Sequence, residues 1–271
     1  MRRLAVAGLL LTLTACAPGG CQQAGSPETG DPNPVEEPLA GDPDLPADEP
    51  EAPLTPEPPT WPHEAGGDLH PGSGSGATDA TLWAAGMRFP LEAAPAYANS
   101  QVYGYGGFAA PGPGGQCDAR NYAYPWRDNF CETRSWTNGM CPAGKGHQGQ
   151  DIRPATCEKK VHWAVAAEGG RITSIGSYTV TLLGDSGRIY RYLHLDMAGV
   201  HALFPTPASR DVTRGQHPGK VSADFGGNAT TIHLHFEITA PVDNGGGATV
   251  MFVPTYSSLV DSYGRLLNSA S

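Results

Sequence analysis

The chain has 271 residues, 39% hydrophobic and 16% charged, with 36 glycines, 26 prolines and 6 cysteines. Most of its formal charge of −10 lies in an acidic N-terminal part, so the remainder is close to neutral and lacks the basic footprint of a nucleic-acid binder. Beyond that part, roughly 190 residues are enough for one domain with a real core.

In chain order, the opening MRRLAVAGLLLTLTACAPGG carries two arginines, an apolar run from Leu4 to Leu13, and then Leu13-Thr14-Ala15-Cys16. Residues 1–15 read as a signal peptide whose apolar core is too short for a transmembrane span. Leu13-Thr14-Ala15-Cys16 resembles a bacterial lipobox, implying export and a lipid on Cys16 that anchors the protein to a membrane. Ala17, where inner-membrane retention would usually place Asp, favours the outer membrane and periplasm in a cell that has an outer membrane, and the cell surface otherwise. Cys21 reads as an unpaired thiol. Residues 16–80 are rich in Pro, Gly, Ala and acid, with no Lys or Arg between Arg3 and Arg88 and no apolar period. They are expected to form a disordered tether, reaching about 190 Å if polyproline-like and about 45 Å as a relaxed coil.

Residues 81–271 form the expected folded domain, opening with a disulfide-rich segment over 81–143. Cys117, Cys131, Cys141 and Cys157 predict two disulfides in an exported protein, with three pairings open; a cysteine zinc site is the alternative, without any Cys-x-x-Cys to support it. Trp126 and Trp136 in this segment either pack or meet ligand. Further on, short apolar runs near His162–Ala166, Arg171–Ile175, Thr179–Leu183 and Ile189–Leu195, parted by Gly-rich turns, predict an antiparallel sheet. VPTYSSLVDSYGRLL is read as a short helix or an extended cover. The fold class expected is thus mainly β, with a cysteine-rich N-terminal extension.

Candidate chemistry is concentrated in two segments. In TTIHLHFEIT, Ile232, Leu234, Phe236 and Ile238 share one strand face, and Thr231, His233, His235 and Glu237 the other. Two imidazoles on one polar face suit a metal or a catalytic pair. In GKGHQGQDIRP, His147 and Asp151 stand four apart among glycines that disfavour a helix, so a turn leading into a strand must bring them together. Imidazole and carboxylate suit zinc, and one histidine of the C-terminal strand would make a three-ligand site with an open fourth position.

Gly-His-Gln-Gly-Gln-Asp at 146–151, Tyr-Leu-His-Leu at 192–195 and His-Leu-His-Phe-Glu at 233–237, in that order, resemble the lysostaphin-like, LytM-type zinc endopeptidases of bacterial cell-wall peptides. The similarity covers about Gly144 to Glu237, and so a catalytic core over 144–240. It implies one zinc held by His147, Asp151 and His235, with His194 and His233 catalytic, and peptidoglycan stem peptides and cross-links as substrate. Thr231-Ile232 departs from the family pattern, which more often has Gly there. Glu237 either orients a histidine or, the preferred reading, makes a structural hydrogen bond, and Tyr192 either borders the cleft or joins the core. His162, His201 and His217 match no motif position and are read as ordinary residues, while His63 and His70 fall in the tether. A relative that has kept this fold as a latent or non-catalytic regulator of other wall hydrolases is the alternative. An amidohydrolase barrel would need far more chain after His235, and a cupin-like site leaves His147 and Asp151 unexplained.

Overall fold

A computed structural model describes residues 61–110 and 112–269. The proposed signal peptide, Cys16, Cys21 and the linker up to residue 60 lie outside the described residues. The strands, in chain order, are β1 (Tyr97–Ala98), β2 (Gln150–Arg153), β3 (Trp163–Ala164), β4 (Gly170–Ile175), β5 (Thr179–Gly184), β6 (Ile189–Leu193), β7 (Asp211–Val212), β8 (Gly219–Lys220), β9 (Asp224–Phe225), β10 (Asn228–Ala229), β11 (Leu234–Asp243) and β12 (Ala248–Val253). The helices are α1 (Met197–Leu203) and α2 (Tyr256–Ser269). The fold is mainly antiparallel β. One sheet of eight strands runs β1-β2-β11-β6-β5-β4-β7, with β12 on the later half of β11; β9-β10 and β3-β8 form two small ribbons.

Strand β11 is the axis of the site because its alternation is strict. Leu234, Phe236 and Ile238 are fully buried on the core face, where Phe236 meets the Tyr192 ring edge-on at 5.2 Å. The opposite face carries His235 and Glu237. In register, His235 opposes Asp151 of β2 on one side and Leu193 of β6 on the other. Directly opposed residues present their side chains to the same face at close range, so pairing alone brings this imidazole and carboxylate together.

The C-terminal segment is a helix, because Tyr256, Leu259 and Tyr263 recur at one face and bury against the core. Tyr263 packs with Phe89 at 4.9 Å and Trp126 at 4.5 Å, and Trp126 donates its indole N–H to Ala96 O at 2.7 Å. Trp126 is therefore a core residue.

The tether expected to run to residue 80 stops short of that. Trp61 is 7% exposed, with its ring 4.3 Å from Trp126 and 4.9 Å from Tyr263. His63 bridges Trp126, Gly67 N–H donates to Asp128 Oδ2 at 2.8 Å, and Gly74 bridges Glu132. A mean composition hides one large aromatic that brings some 150–250 Å² of apolar surface, worth up to about 4–6 kcal/mol when buried. That outweighs the ordering of several Gly- and Pro-rich residues.

The four cysteines form Cys117–Cys157 and Cys131–Cys141. The first closes a long loop over the Arg153 end of β2, and the second holds the approach to His147. Gly146 is needed there: its φ is +155° and a Cβ would stand 2.8 Å from Cys131 Cα. At Gly149 a Cβ would meet Phe236 O at 2.3 Å, so glycine lets β2 close on β11 beside the ligands.

Candidate metal centre and cleft

His147, Asp151 and His235 are all buried, and one ligand atom of each lies within 4.8 Å of the others. Asp151 Oδ1 is the hub, 3.4 Å from His147 Nε2 and 2.9 Å from His235 Nδ1. The remaining nitrogens are committed elsewhere. His147 Nδ1–H donates to Asn129 O at 3.0 Å, and His235 Nε2–H donates to Glu237 Oε1 at 2.9 Å. Each imidazole thereby turns a lone pair toward the carboxylate. Three acceptors facing one another across a buried point form a donor set that needs a cation, and imidazole nitrogen with carboxylate oxygen suits zinc. Burial lowers the His235 pKa, but its hydrogen bonds to Asp151 and Glu237 outweigh this and lift it to about 9. Burial would raise Asp151, yet His147 and His233 hold it well below the usual carboxylate range.

His233 and His194 stand beside this set with ring centroids 4.6 Å apart. His233 Nδ1 donates to Thr231 O at 2.9 Å, with Thr231 Oγ1 at 3.1 Å, and the Thr231 hydroxyl reaches Gln101 Oε1 at 2.7 Å. Thr231, at the departure from the family pattern, thus supplies a hydroxyl that glycine could not. His194 Nδ1 donates to Asp224 O at 2.9 Å. His194 keeps Nε2 for the cleft, whereas His233 Nε2 faces Asp151 Oδ1 at 3.5 Å, at the edge of the metal set. Burial, followed by the neighbouring His233 and His235, pushes His194 down to about 2, and burial also lowers His233.

Regular alternation along β6 would put Tyr192 and His194 on the same side. They part because β6 ends at Leu193 and His194 has a φ of +67°. The chain turns there, leaving Tyr192 in the core as acceptor from Ala167 N–H at 2.8 Å, while Leu193 and His194 both line the cleft. Backbone in this region costs a β-carbon residue on the order of 1 kcal/mol and persists only where the surroundings enforce it. Tyr178 O accepting from His194 N–H at 3.0 Å, and His194 O accepting from Ser222 N–H at 2.9 Å, do so here.

The cleft measures about 540 Å³ and runs past Trp136, Tyr178, Phe225 and Arg134. Trp136, 45% exposed, is the disulfide-region tryptophan that meets solvent there. The other histidines lie elsewhere: His162 bonds Thr156, His217 pairs with Glu92 and stacks on Trp163, and His201 is exposed on α1.

No family model matches the chain, and no curated protein matches it. Solved structures do. A lytM protein from Ruminococcus gnavus is 20% identical over 50% of this chain, at a TM-score of 0.36; the match spans 57% of that protein's length. The catalytic domain of the antimicrobial peptidase lysostaphin from Staphylococcus simulans is 21% identical over 40% of this chain and 77% of its own, at 0.28. A zinc-containing peptidase from Vibrio cholerae is 25% identical over 42% of this chain and 35% of its own, at 0.28. At scores this low the likeness assigns neither a family nor a residue role, so the roles rest on side-chain geometry.

Three supporting residues escape sequence reasoning. Asn129, fully buried, donates from Nδ2 to Asp151 Oδ2 at 2.9 Å, accepts Asp151 N–H on Oδ1 at 3.1 Å, and takes His147 Nδ1–H on its backbone carbonyl. Arg191 on β6 sits 2.8 Å from Glu237 Oε2, an ion-pair contact that steadies the carboxylate behind His235. Asp224 supplies the carbonyl that sets His194. None stands in the motif segments; for Arg191 alone a signal existed, since β6 and β11 were both legible and Glu237 called for a partner.

Proposed function

We propose that this LytM-like domain is a zinc-dependent endopeptidase that hydrolyses peptide cross-links of bacterial cell-wall peptidoglycan, anchored through a lipid on Cys16. One observation carries this reading: two imidazoles and a carboxylate, each locked by a partner behind it, converge beside two further histidines that line a cleft, one of them with Nε2 3.5 Å from the carboxylate. His147 Nε2, Asp151 Oδ1 and His235 Nδ1 would hold the metal. Zinc there would polarise a peptide carbonyl and acidify a water.

The chain's own residues supply the rest. His194 and His233 are kept neutral by burial, with Nδ1–H given to a carbonyl; His194 presents Nε2 to the cleft as a proton acceptor, and His233 presents Nε2 beside Asp151 Oδ1, where a water at the metal set would lie. One of them takes the proton of the attacking water at Nε2. Having become a donor, that imidazolium can pass the proton to the departing amine. Glu237, held by Arg191, fixes the His235 ring, and Asn129 fixes Asp151. Trp136, Tyr178 and Phe225 line walls against which a peptide chain can lie.

The test is release of soluble muropeptides from purified sacculi by the full chain, with zinc or with chelator. Zinc-dependent release of fragments with new peptide ends supports the endopeptidase and identifies the bond. Intact, zinc-loaded protein that releases nothing from several wall types would favour a latent enzyme or a regulator of other hydrolases.

A further inference from the structure

A second groove, of about 580 Å³, lies between the Met87–Phe89 stretch and the C-terminal part of α2, and it shares no lining residue with the histidine cleft. Arg88, Arg214 and Arg265 line it, from three distant parts of the chain. All three guanidiniums are gathered by the carbonyls of one short stretch. Arg88 donates to Phe89 O at 3.3 Å and to Glu92 O at 2.7 Å, Arg214 to Gly86 O at 3.0 Å, and Arg265 to Met87 O at 2.7 Å. A carbonyl orients a guanidinium without cancelling its charge, and each guanidinium has five N–H donors, so most remain for another acceptor.

Counter-charge is scarce in the groove. Among the described residues, Asp261 pairs with Arg265, whereas neither Arg88 nor Arg214 forms an ion pair with a carboxylate. Glu92, near Arg88, is engaged by His217 at 2.9 Å. Burial and then the repulsion of Arg214 lower the Arg88 pKa from its usual value, and Glu92 offsets them only in part. Two cations outside any ion pair among the described residues, with Glu92 the one nearby carboxylate acting on Arg88, stand on anchored heads and form a site organised for an anion. A carboxylate has two coplanar oxygens and suits a single guanidinium fork. A phosphate group spreads three or four oxygens tetrahedrally and can meet guanidiniums arriving from different directions.

We infer that the groove formed by Arg88, Arg214 and Arg265 binds a phosphate group, either a free phosphate or the headgroup of an anionic phospholipid. The inference is independent of the proposed hydrolysis, because α2 belongs to the core cluster while the cleft lies on the opposite face of β11.

Calorimetric titration of inorganic phosphate into the full chain, at constant ionic strength with chloride as reference, tests it. Saturable binding is expected, weakened about tenfold or more by Arg214→Glu or Arg88→Gln, as loss of a charge-assisted hydrogen bond implies. Arg214 is exposed, so its substitution leaves folding and zinc content unchanged even if Arg88→Gln loosens the turn it anchors. Cosedimentation with phosphatidylglycerol vesicles, against phosphatidylcholine vesicles, separates the two sources: arginine-dependent capture by the former assigns a lipid headgroup, and binding of inorganic phosphate alone assigns a soluble one. Phosphate affinity that is absent, or indifferent to both substitutions, overturns the site.

Discussion

Replacing Asn129 with alanine tests whether the metal centre is set from behind. The substitution removes the donor to Asp151 Oδ2 and the acceptor for Asp151 N–H, while the backbone carbonyl that orients His147 remains. One lost bond is charge-assisted, worth about 1.5–3 kcal/mol, and the other neutral, worth about 0.5–1.5 kcal/mol, so a stability loss of roughly 2–4 kcal/mol is expected. Loss of a partner behind a metal ligand typically costs 10–100-fold in metal affinity. Because only Asp151 of the three ligands is released, a loss near ~10-fold is expected here. Competition for zinc against a chromophoric chelator measures the affinity, and thermal melting of the same sample measures the stability. A lower melting temperature with zinc affinity within about twofold of the parent would refute the positioning role and leave Asn129 a purely structural residue.

Four further outcomes follow from the geometry. His233→Ala is expected to abolish cleavage of sacculi yet retain zinc, whereas His235→Ala loses both; equal zinc loss by metal analysis would overturn the division of roles. Mutating Cys117 and Cys157 to serine should cost roughly 4 kcal/mol, and mutating Cys131 and Cys141 roughly 3 kcal/mol, from loops of 40 and 10 residues; urea unfolding measures both, and a larger loss for the shorter loop would count against the chain-entropy account. Trp61→Ala should destabilise the domain by about 3–5 kcal/mol, and a denaturation midpoint equal to the parent's would return that segment to the tether. Asp128 is pushed up to about 6 by burial despite hydrogen bonds from Gly67 and Phe130 N–H. Its folded form holds a proton that the unfolded chain releases near pH ~4, so its contribution to stability falls as pH rises from about 4 to 6, by about 3 kcal/mol. Asp128→Asn removes that fall, and unfolding midpoints that keep the parent's slope across this window would refute it.

The sequence determined whatever depends on neighbours along the chain. Strict alternation in Leu234, Phe236 and Ile238 specified a strand with a core face and a polar face, because the side-chain period of a strand is two, although the strand begins only at Leu234 and leaves Ile232 and His233 before it. Glycines 144, 146 and 149 excluded a helix between His147 and Asp151, and closely spaced apolar runs specified an antiparallel sheet. Tertiary structure decided what depends on encounters between distant segments. Register, which places His235 opposite Asp151 and lets Asn129 reach both His147 and Asp151, arises only when β2 and β11 pair. Cysteine count predicted disulfides, but their pairing required the Cα positions. Composition placed Trp61 in a tether, since an average over many prolines and glycines gives no hint that one ring meets Trp126 and Tyr263. The turn at His194 broke an alternation that a regular strand would have kept, because a positive φ is imposed by the partners of its N–H and carbonyl, which lie elsewhere in the chain.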